Sequence, residues 1–382
     1  MPSAYDEKAL QQHQAHKGKL WVHSKVPLET REDLSTYYTP WVAAPCLAIA
    51  ADPEKAYAYT RKGNSVAIVS DGTAVLWLGN IWWLAGLPVM EGKAILMKAF
   101  ADLDAVPIVL STQDPEEIIK TVINIAPTFG AINLEDIAAP QCFYIEEELN
   151  KRLSIPVFHD DQHGTAIVVL AWLINASALV GKELASMKIV IAGAWAAGIA
   201  IANMLHASGV TNIIMTDSKG SIVSERTDLN VYKQLVATYN RDQQAGTLSD
   251  VLVQADVCIG VSQPNIVTRY DVTTMADKPI IFALANPNPE ITRDEAIAGG
   301  AYIYASWRSD VPNQINNLLA FPGVLRGALD ARIEEITMDH KVAAAKALAA
   351  YVTTPSVAML LPSPLDKGVA SVVAEAVKEI KN

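Results

Sequence analysis

The sequence predicts an α/β protein of two domains, the second built on a doubly wound parallel sheet. Three observations support this fold class. The chain has 382 residues, more than one ordinary hydrophobic core holds, and 51% of them are hydrophobic. From Lys188 onward, fully apolar runs alternate with helical patterns, as in strands that are buried on both faces. The third is a glycine-containing turn, IAGAWAAG at residues 191–198, between a strand pattern and an alanine-rich helix pattern.

The first domain is predicted to cover residues 1–162. VAIVSDGTAVLWLG and VPIVLST read as strands, and DPEEIIKTVINIA reads as a helix with an acidic first turn. This mixture indicates an N-terminal α/β domain.

The second domain is predicted to cover residues 163–382 and to resemble a Rossmann fold. Its strand patterns are KIVIAG, NIIMTD, DVCIGV, PIIFALAN and AYIYAS, and the chain ends in helical patterns. The uncharged run GTAIVVLAWLINASALVG is long enough to span a membrane, but it follows HDDQH and contains Asn175 and Ser177. We therefore interpret it as a buried helix between the domains and expect no membrane association.

The net charge of the chain argues against two classes of binding partner. A net charge of -11 and a pI near 5.1 argue against nucleic acid or an anionic membrane surface, because phosphate groups favour clustered Lys and Arg. The polar N-terminus carries no secretion signal pattern, so a cytoplasmic location is expected.

Acidic residues follow two strand-like runs. Glu135 and Asp136 follow one, and Asp160 and Asp161 end the other. Acids at strand ends are candidate oxygen ligands for a hard cation, Mg²⁺ or Mn²⁺. The alternative is structural: Glu135 solvates a loop, and Asp160 caps a helix that starts near Thr165.

Other polar residues lie near these acids in sequence or in apolar surroundings. His159 and His163 are spaced like a zinc pair, but Gly164 is expected to interrupt a helix there, which favours supporting or packing roles for both. Lys93 and Tyr38 are acid-base candidates: a buried lysine near a cation is expected to have a lowered pKa and to act as a base, and a tyrosine hydroxyl can return a proton. Either residue alone is more often structural.

Several long motifs together resemble the compact bacterial malic enzymes. They are YYTP, SDGTAVL, LPVMEGKAIL, PTFGAINLEDI, IPVFHDDQHGTAIV, ALANPNPEI and PNQINNLLAFPGVLRGALDARI, and the resemblance runs from about residue 18 to the C-terminus. It implies decarboxylation of malate, a C4 dicarboxylate, through oxaloacetate to pyruvate and CO₂. It also implies a divalent metal, NAD or NADP, and a homodimer.

The same resemblance assigns roles to individual residues. It implies that Glu135, Asp136 and Asp161 bind the metal. Lys93 would take the proton from the malate hydroxyl, and Tyr38 would protonate the enol of pyruvate. Asn286 and Asn317 would hold the substrate and the nicotinamide end of the cofactor.

The cofactor site is predicted at the glycine-containing turn. Its expected residues are Gly193, Ala194, Ala196, Ala197, Gly198, Asp217 and Asn286. Asp217 ends a strand pattern 19 residues after Gly198, near the spacing of an acid that binds the ribose 2'-hydroxyl, which favours NAD.

The chain departs from the motifs of similar enzymes at several loops. Tryptophans stand where those enzymes have glycine or proline, and Asn80 and Gln141 replace charged residues; the tryptophans are Trp41, Trp77, Trp82, Trp83, Trp195 and Trp307. Forcing a non-glycine residue to positive φ costs roughly 1 to 2 kcal/mol, and the Trp195 indole is expected to project into the pyrophosphate volume. Three alternatives remain: a malic enzyme with weakened NAD binding, an NAD-independent oxaloacetate decarboxylase, and a non-enzyme homologue.

Overall fold

Two parallel sheets organise the chain. The structure is a computed structural model in which residues 4–76, 78–308 and 313–380 are described, so Trp77 lies outside the described residues. The strands are β1 (Ser65–Ser70), β2 (Asp104–Val109), β3 (Ala131–Leu134), β4 (Val157–His159), β5 (Lys188–Ala192), β6 (Asn212–Asp217), β7 (Gly220–Ser221), β8 (Val257–Gly260), β9 (Ile280–Ala283) and β10 (Ile303–Ser306).

Helices surround both sheets. In chain order they are α1 (Ala4–His16), α2 (Arg31–Tyr37), α3 (Ala43–Ala51), α4 (Ala56–Tyr59), α5 (Trp83–Ala101), α6 (Pro115–Ile125), α7 (Gln141–Arg152), α8 (Asp160–Val180), α9 (Ala196–Ala207), α10 (Val231–Ala237), α11 (Leu248–Leu252), α12 (Arg269–Thr274), α13 (Arg293–Ala298), α14 (Phe321–Ala331), α15 (Met338–Tyr351) and α16 (Gly368–Lys378).

The first sheet has the order β2-β1-β3-β4, with all strands parallel. The sequence predicted a strand continuing to Gly79, and this is wrong beyond Ser70. Asp71 Oδ1 accepts hydrogen bonds from the Thr73 N–H at 3.0 Å and the Thr73 hydroxyl at 2.6 Å, which turns the chain out of the sheet. The loop that follows is hydrogen-bonded to the residues after β3, since the Ala74 N–H donates to the Asp136 carbonyl oxygen at 2.9 Å.

The second sheet has the order β10-β9-β8-β5-β6-β7. Its strands are parallel except β7, which pairs antiparallel with β6. The predicted doubly wound sheet is confirmed. Its order reverses between β5 and β8, and ligands of such sheets bind in the crevice outside the strand ends at this point.

Helix α8 connects the two sheets. It follows β4 directly, continues through Gly164 without interruption, and packs against α9 and α15. The expected break at Gly164 and the expected start near Thr165 are therefore wrong. A Cβ on Gly164 would lie 3.2 Å from the Asn317 Cβ and 1.9 Å from the Asp160 Oδ1, so glycine permits a close approach there.

The apolar run predicted as a buried helix lies within α8. This helix is long and apolar enough to cross a membrane by length and composition, but 78% of its most apolar window is buried inside the protein. The 162/163 domain boundary falls in its first turn and stays a prediction, as does the cytoplasmic location.

Candidate active site

Three carboxylates converge beside the first sheet. Glu135 and Asp136 follow β3, and Asp161 lies in the first turn of α8, just after β4. Because β3 and β4 are parallel neighbours, their carboxyl ends meet at one edge. Each residue offers one carboxylate oxygen, and these atoms lie within 4.8 Å of one another. We call Glu135, Asp136 and Asp161 the acid cluster.

Burial and mutual repulsion disfavour the charged form of the acid cluster. Glu135 and Asp136 are each only 3% exposed. Burial and the neighbouring carboxylates raise the pKa of Asp136 to about 9 and that of Glu135 to about 7, although Lys93 opposes both shifts. Burial also raises the pKa of Asp161. Such a group of acids needs a positive charge among them.

The acid cluster fits a hard divalent cation. The Oδ2 atom of Asp136 is buried and has no hydrogen-bond partner in the part of the chain that the structure describes, and the cluster offers oxygen ligands only. Mg²⁺ and Mn²⁺ prefer such ligands. Asp161 is also held in place, since its Oδ2 accepts a 2.8 Å hydrogen bond from the Asp136 N–H.

Lys93 and Asp160 form an ion pair next to the acid cluster. Lys93 extends from α5, and its Nζ lies 2.6 Å from the Asp160 Oδ2 and 2.7 Å from the Glu135 Oε1. Burial alone would lower the pKa of Lys93, but the surrounding carboxylates raise it overall, whereas a lowered value was expected. Asn317 Nδ2 donates to the same Asp160 oxygen. The structure thus brings Lys93 and Asn317 together at Asp160, and their roles stay predictions.

For Asp160 the sequence left two alternatives, a candidate cation ligand or a helix cap, and it did not predict the ion pair with Lys93. Asp160 is completely buried, burial raises its pKa to about 7, and no described residue forms a hydrogen bond with its Oδ1. The doubled acid in HDDQH is the signal that could have identified it, since successive residues in the first turn of a helix point to different neighbours.

Two residues that were predicted to belong to the site, Tyr38 and Asn286, form no hydrogen bond with the acid cluster in the described part of the chain. Tyr38, at the C-terminal end of α2, is 69% exposed. Asn286 follows β9 and is also exposed. Among the described hydrogen bonds, none connects either side chain to the acid cluster, so their roles stay predictions.

The glycine-containing turn lies at the switch point of the second sheet. Gly193 follows β5 with φ 122°, and a Cβ there would approach the Val261 carbonyl oxygen after β8 to 2.6 Å. Ala194 and Gly198 are buried, Ala196 and Ala197 are half-buried, and no side chain caps the N-terminus of α9. Uncapped N–H groups at a helix start are suited to binding a pyrophosphate.

Trp195 does not strain this turn. Its backbone is extended, with φ -104° and ψ -168°, and its side chain is 63% exposed. The expected positive φ occurs instead at Trp82, which has φ 69° and ψ 157° and precedes α5. Trp82 packs edge-on against Trp83, with ring centroids 5.2 Å apart.

The remaining departures lie on loops or, for Gln141, at the first residue of a helix. Trp41 is exposed, Trp307 is partly buried against the core, and Gln141 is exposed at the start of α7. Asn80 exchanges hydrogen bonds with Gln113.

Asp217 is already engaged by cations. Arg226 donates to both of its carboxylate oxygens at 2.9 and 3.0 Å, and Lys233 donates at 2.7 Å. Burial would raise the pKa of Asp217, but these hydrogen bonds lower it to about 2. The acid predicted to bind a ribose hydroxyl is therefore ionised and shared with two positive groups.

Comparison with known proteins identifies both parts of the chain. Residues 17–150 match the N-terminal domain of malic enzymes, and residues 162–381 match the malic enzyme NAD-binding domain. The chain is 53% identical over 375 residues to the bifunctional malic/malolactic enzyme of Bacillus subtilis, covering 97% of this chain and 92% of that protein. It is 54% identical over 365 residues to the NAD-dependent malic enzyme of Geobacillus stearothermophilus, covering 95% of this chain and 76% of that protein.

A solved structure shows the same architecture. The NAD-dependent malic enzyme from Thermotoga maritima superposes with a TM-score of 0.95 at 47% identity, covering 97% of this chain and 99% of that one. The two matched domains, the identity over nearly the whole chain and the shared fold show that this chain belongs to the malic enzyme family.

Proposed function

We propose that this chain catalyses the oxidative decarboxylation of (S)-malate to pyruvate and CO₂ with a divalent metal and NAD. The observation that best supports this proposal is the contact between the acid cluster and the Lys93–Asp160 pair. It places a candidate cation site next to a candidate proton-transfer pair. When bound, Mg²⁺ or Mn²⁺ supplies a Lewis acid that polarises the C2 oxygen and stabilises the charge left as CO₂ departs.

Lys93 and Asp160 carry the first proton transfer in this proposal. The 2.6 Å hydrogen bond between them lets Lys93 pass a proton to Asp160 and then accept the proton of the substrate C2 hydroxyl. Asn317 holds the Asp160 carboxylate in place, and the Phe321 ring, 4.4 Å from the Lys93 Nζ, covers one side of the pair. The surrounding burial keeps water from competing for the proton.

The test is malate-dependent NADH formation with Mn²⁺. Asp161→Asn removes one carboxylate of the acid cluster and is expected to lower kcat/KM by about 100-fold or more, because a ligand and its charge are both lost. The matched control is Asp294→Asn on the exposed face of α13, which should retain wild-type activity. Full activity in Asp161→Asn, with wild-type Mn²⁺ affinity, would refute the metal assignment.

NAD is the proposed cofactor, and its choice over NADP depends on Asp217. Each oxygen of this carboxylate already accepts two hydrogen bonds, Oδ1 from the Lys219 N–H and Arg226 and Oδ2 from Arg226 and Lys233, so a ribose hydroxyl must displace one of these donors. Arg226 and Lys233 also place positive charge beside it, so discrimination against a 2'-phosphate should be weak. The ratio of kcat/KM for NAD and NADP measures this directly.

A second candidate function is NAD-independent oxaloacetate decarboxylation. The exposed Trp195 indole at the glycine-containing turn favours this alternative, because decarboxylation and enol protonation need no hydride acceptor. Oxaloacetate loss that is unaffected by NAD, without malate-dependent NADH formation, would support it. Absence of both activities in a folded protein would support the non-enzyme alternative.

We also propose that the chain forms a homodimer through its N-terminal segment. Helices α2 and α3 contain no buried residue. Exposed apolar side chains also occur in the stretch before α2 and on α3: Trp21 is 89%, Val22 98% and Leu47 70% exposed. Large exposed apolar patches mark association surfaces. A second copy covering this segment would also enclose Tyr38, the proposed acid for the enol.

Sedimentation velocity tests the dimer. Leu47→Glu should shift the protein toward monomer because it places a charge in the apolar surface. Leu365→Glu is the matched control, since Leu365 is 75% exposed but lies far along the chain. Monomeric wild-type protein would refute this proposal.

A further inference from the structure

A second group of buried polar side chains lies beside the first turn of α8. Glu146, on α7, is only 7% exposed and belongs to neither the acid cluster nor the Lys93–Asp160 pair. A buried carboxylate requires hydrogen-bond partners to offset its loss of water. The partners of Glu146 come from residues on both sides of Asp160 and Asp161.

Three residues of this turn bind the Glu146 carboxylate. The backbone N–H of His159 donates to Oε1 at 2.9 Å, and Gln162 Nε2 donates to Oε2 at 3.3 Å. The Nε2 atom of His163 lies 2.9 and 2.8 Å from the two carboxylate oxygens. The carboxylate thus bonds the residue before the acid pair and the two residues after it.

The third helix of this arrangement is α15. Lys341 Nζ lies 3.1 Å from the Nε2 atom of His163 and brings a positive charge toward Glu146. Burial would raise the pKa of Glu146, but His163 and Lys341 lower it to about 2, so the carboxylate is ionised. Helices α7 and α8 are therefore joined by a charge-assisted hydrogen-bond network, and Lys341 on α15 adds an electrostatic attraction to the Glu146 carboxylate.

We infer that Glu146 is a positioning residue for Asp160 and Asp161. It touches neither acid, but it fixes the backbone before them and the side chains after them, so that one acid points to Lys93 and the other to the Asp136 N–H. Groups that orient metal-binding side chains in this way set metal affinity. The part of this inference that concerns metal affinity rests on the proposed metal site.

The test compares Glu146→Gln with Glu148→Gln on the same helix. Among the described residues, the Glu148 carboxylate forms ion pairs with Lys151 and Arg152, both within α7, so it controls for the substitution itself. Mn²⁺ titration followed by electron paramagnetic resonance, without substrate or cofactor, should show a Kd raised about 10- to 100-fold in Glu146→Gln. Glu148→Gln should stay within about twofold of wild type.

Amide hydrogen exchange of the metal-free protein provides a second readout. The peptide covering residues 159–163 should exchange about tenfold faster in Glu146→Gln than in the wild-type protein. In Glu148→Gln its exchange rate should equal that of the wild type. Faster exchange in a chain whose wild type binds no Mn²⁺ would support the positioning of the turn while refuting the metal site. Unchanged exchange would overturn the inference, as would a lowered Tm with wild-type Mn²⁺ affinity. If Glu146→Gln does not fold, His163→Phe removes one partner and should give the same two changes.

Discussion

Trp82 occupies a backbone conformation that suits glycine, and this should be measurable as stored strain. At φ 69° and ψ 157° its Cβ is disfavoured, since this region is populated almost entirely by glycine. The strain is about 1–3 kcal/mol. Replacing Trp82 with glycine relieves it but also removes the indole and its contact with Trp83, so that single variant mixes two effects.

A pair of substitutions separates these effects. Trp82→Ala and Trp82→Gly both remove the indole, and only the glycine variant removes the Cβ. Trp195 provides the matched control because it also precedes a helix without a side-chain cap, but with φ -104°. Both residues are the N-caps of their helices, and N-cap positions favour glycine over alanine, so this preference contributes equally at both sites. The difference between the sites isolates the strain at positive φ.

Urea unfolding of the four variants measures the result. The gain in unfolding free energy from alanine to glycine should be about 1–3 kcal/mol larger at position 82 than at position 195. For a chain of 382 residues this corresponds to a difference of about 1–4 °C in Tm. Equal gains at the two positions would refute the reasoning, because the only designed difference is the sign of φ.

Three further predictions concern the site. The raised pKa values of Glu135 and Asp136 mean that these two groups bind more protons in the folded, metal-free protein than in the unfolded chain between about pH 4 and pH 9, so their contribution to stability should fall as pH rises. The increase in Tm caused by Mn²⁺ should consequently be larger at pH 8 than at pH 6, and equal increases would contradict this. Trp195→Gly should bind NAD more tightly than wild type in calorimetric titration, because the indole no longer competes with the cofactor for space; unchanged affinity would defeat the steric argument. Lys233→Met should increase the preference for NAD over NADP in kcat/KM by about tenfold, because a positive charge next to Asp217 is lost; an unchanged ratio would exclude a role for Lys233 in cofactor choice.

The acid cluster could be predicted because its position follows from local rules. Parallel strands end at a common edge, so acids that follow β3 and β4 had to meet there. Asp160 and Gly164 were misjudged because their roles depend on partners far along the chain: Asn317 approaches both residues. Glycine lowers helix propensity in isolation, but tertiary packing overrode that preference in α8.

The tryptophans show a second limit of sequence reasoning. A glycine motif does not reveal which of its positions needs positive φ. Trp195 has an extended backbone, whereas Trp82 carries the strain. Tyr38 shows a third limit, because one copy of the chain leaves it exposed and its proposed role depends on what covers it.

The uninterrupted course of α8 has a consequence for motion between the two sheets. The residues that begin this helix include Asp160 and Asp161, and the rest of it packs against α9 and α15. A continuous helix does not act as a hinge. Any rotation of the nucleotide-binding domain must therefore move both acids or bend the helix. Opening and closing of the cleft would then be mechanically tied to the geometry around the cation.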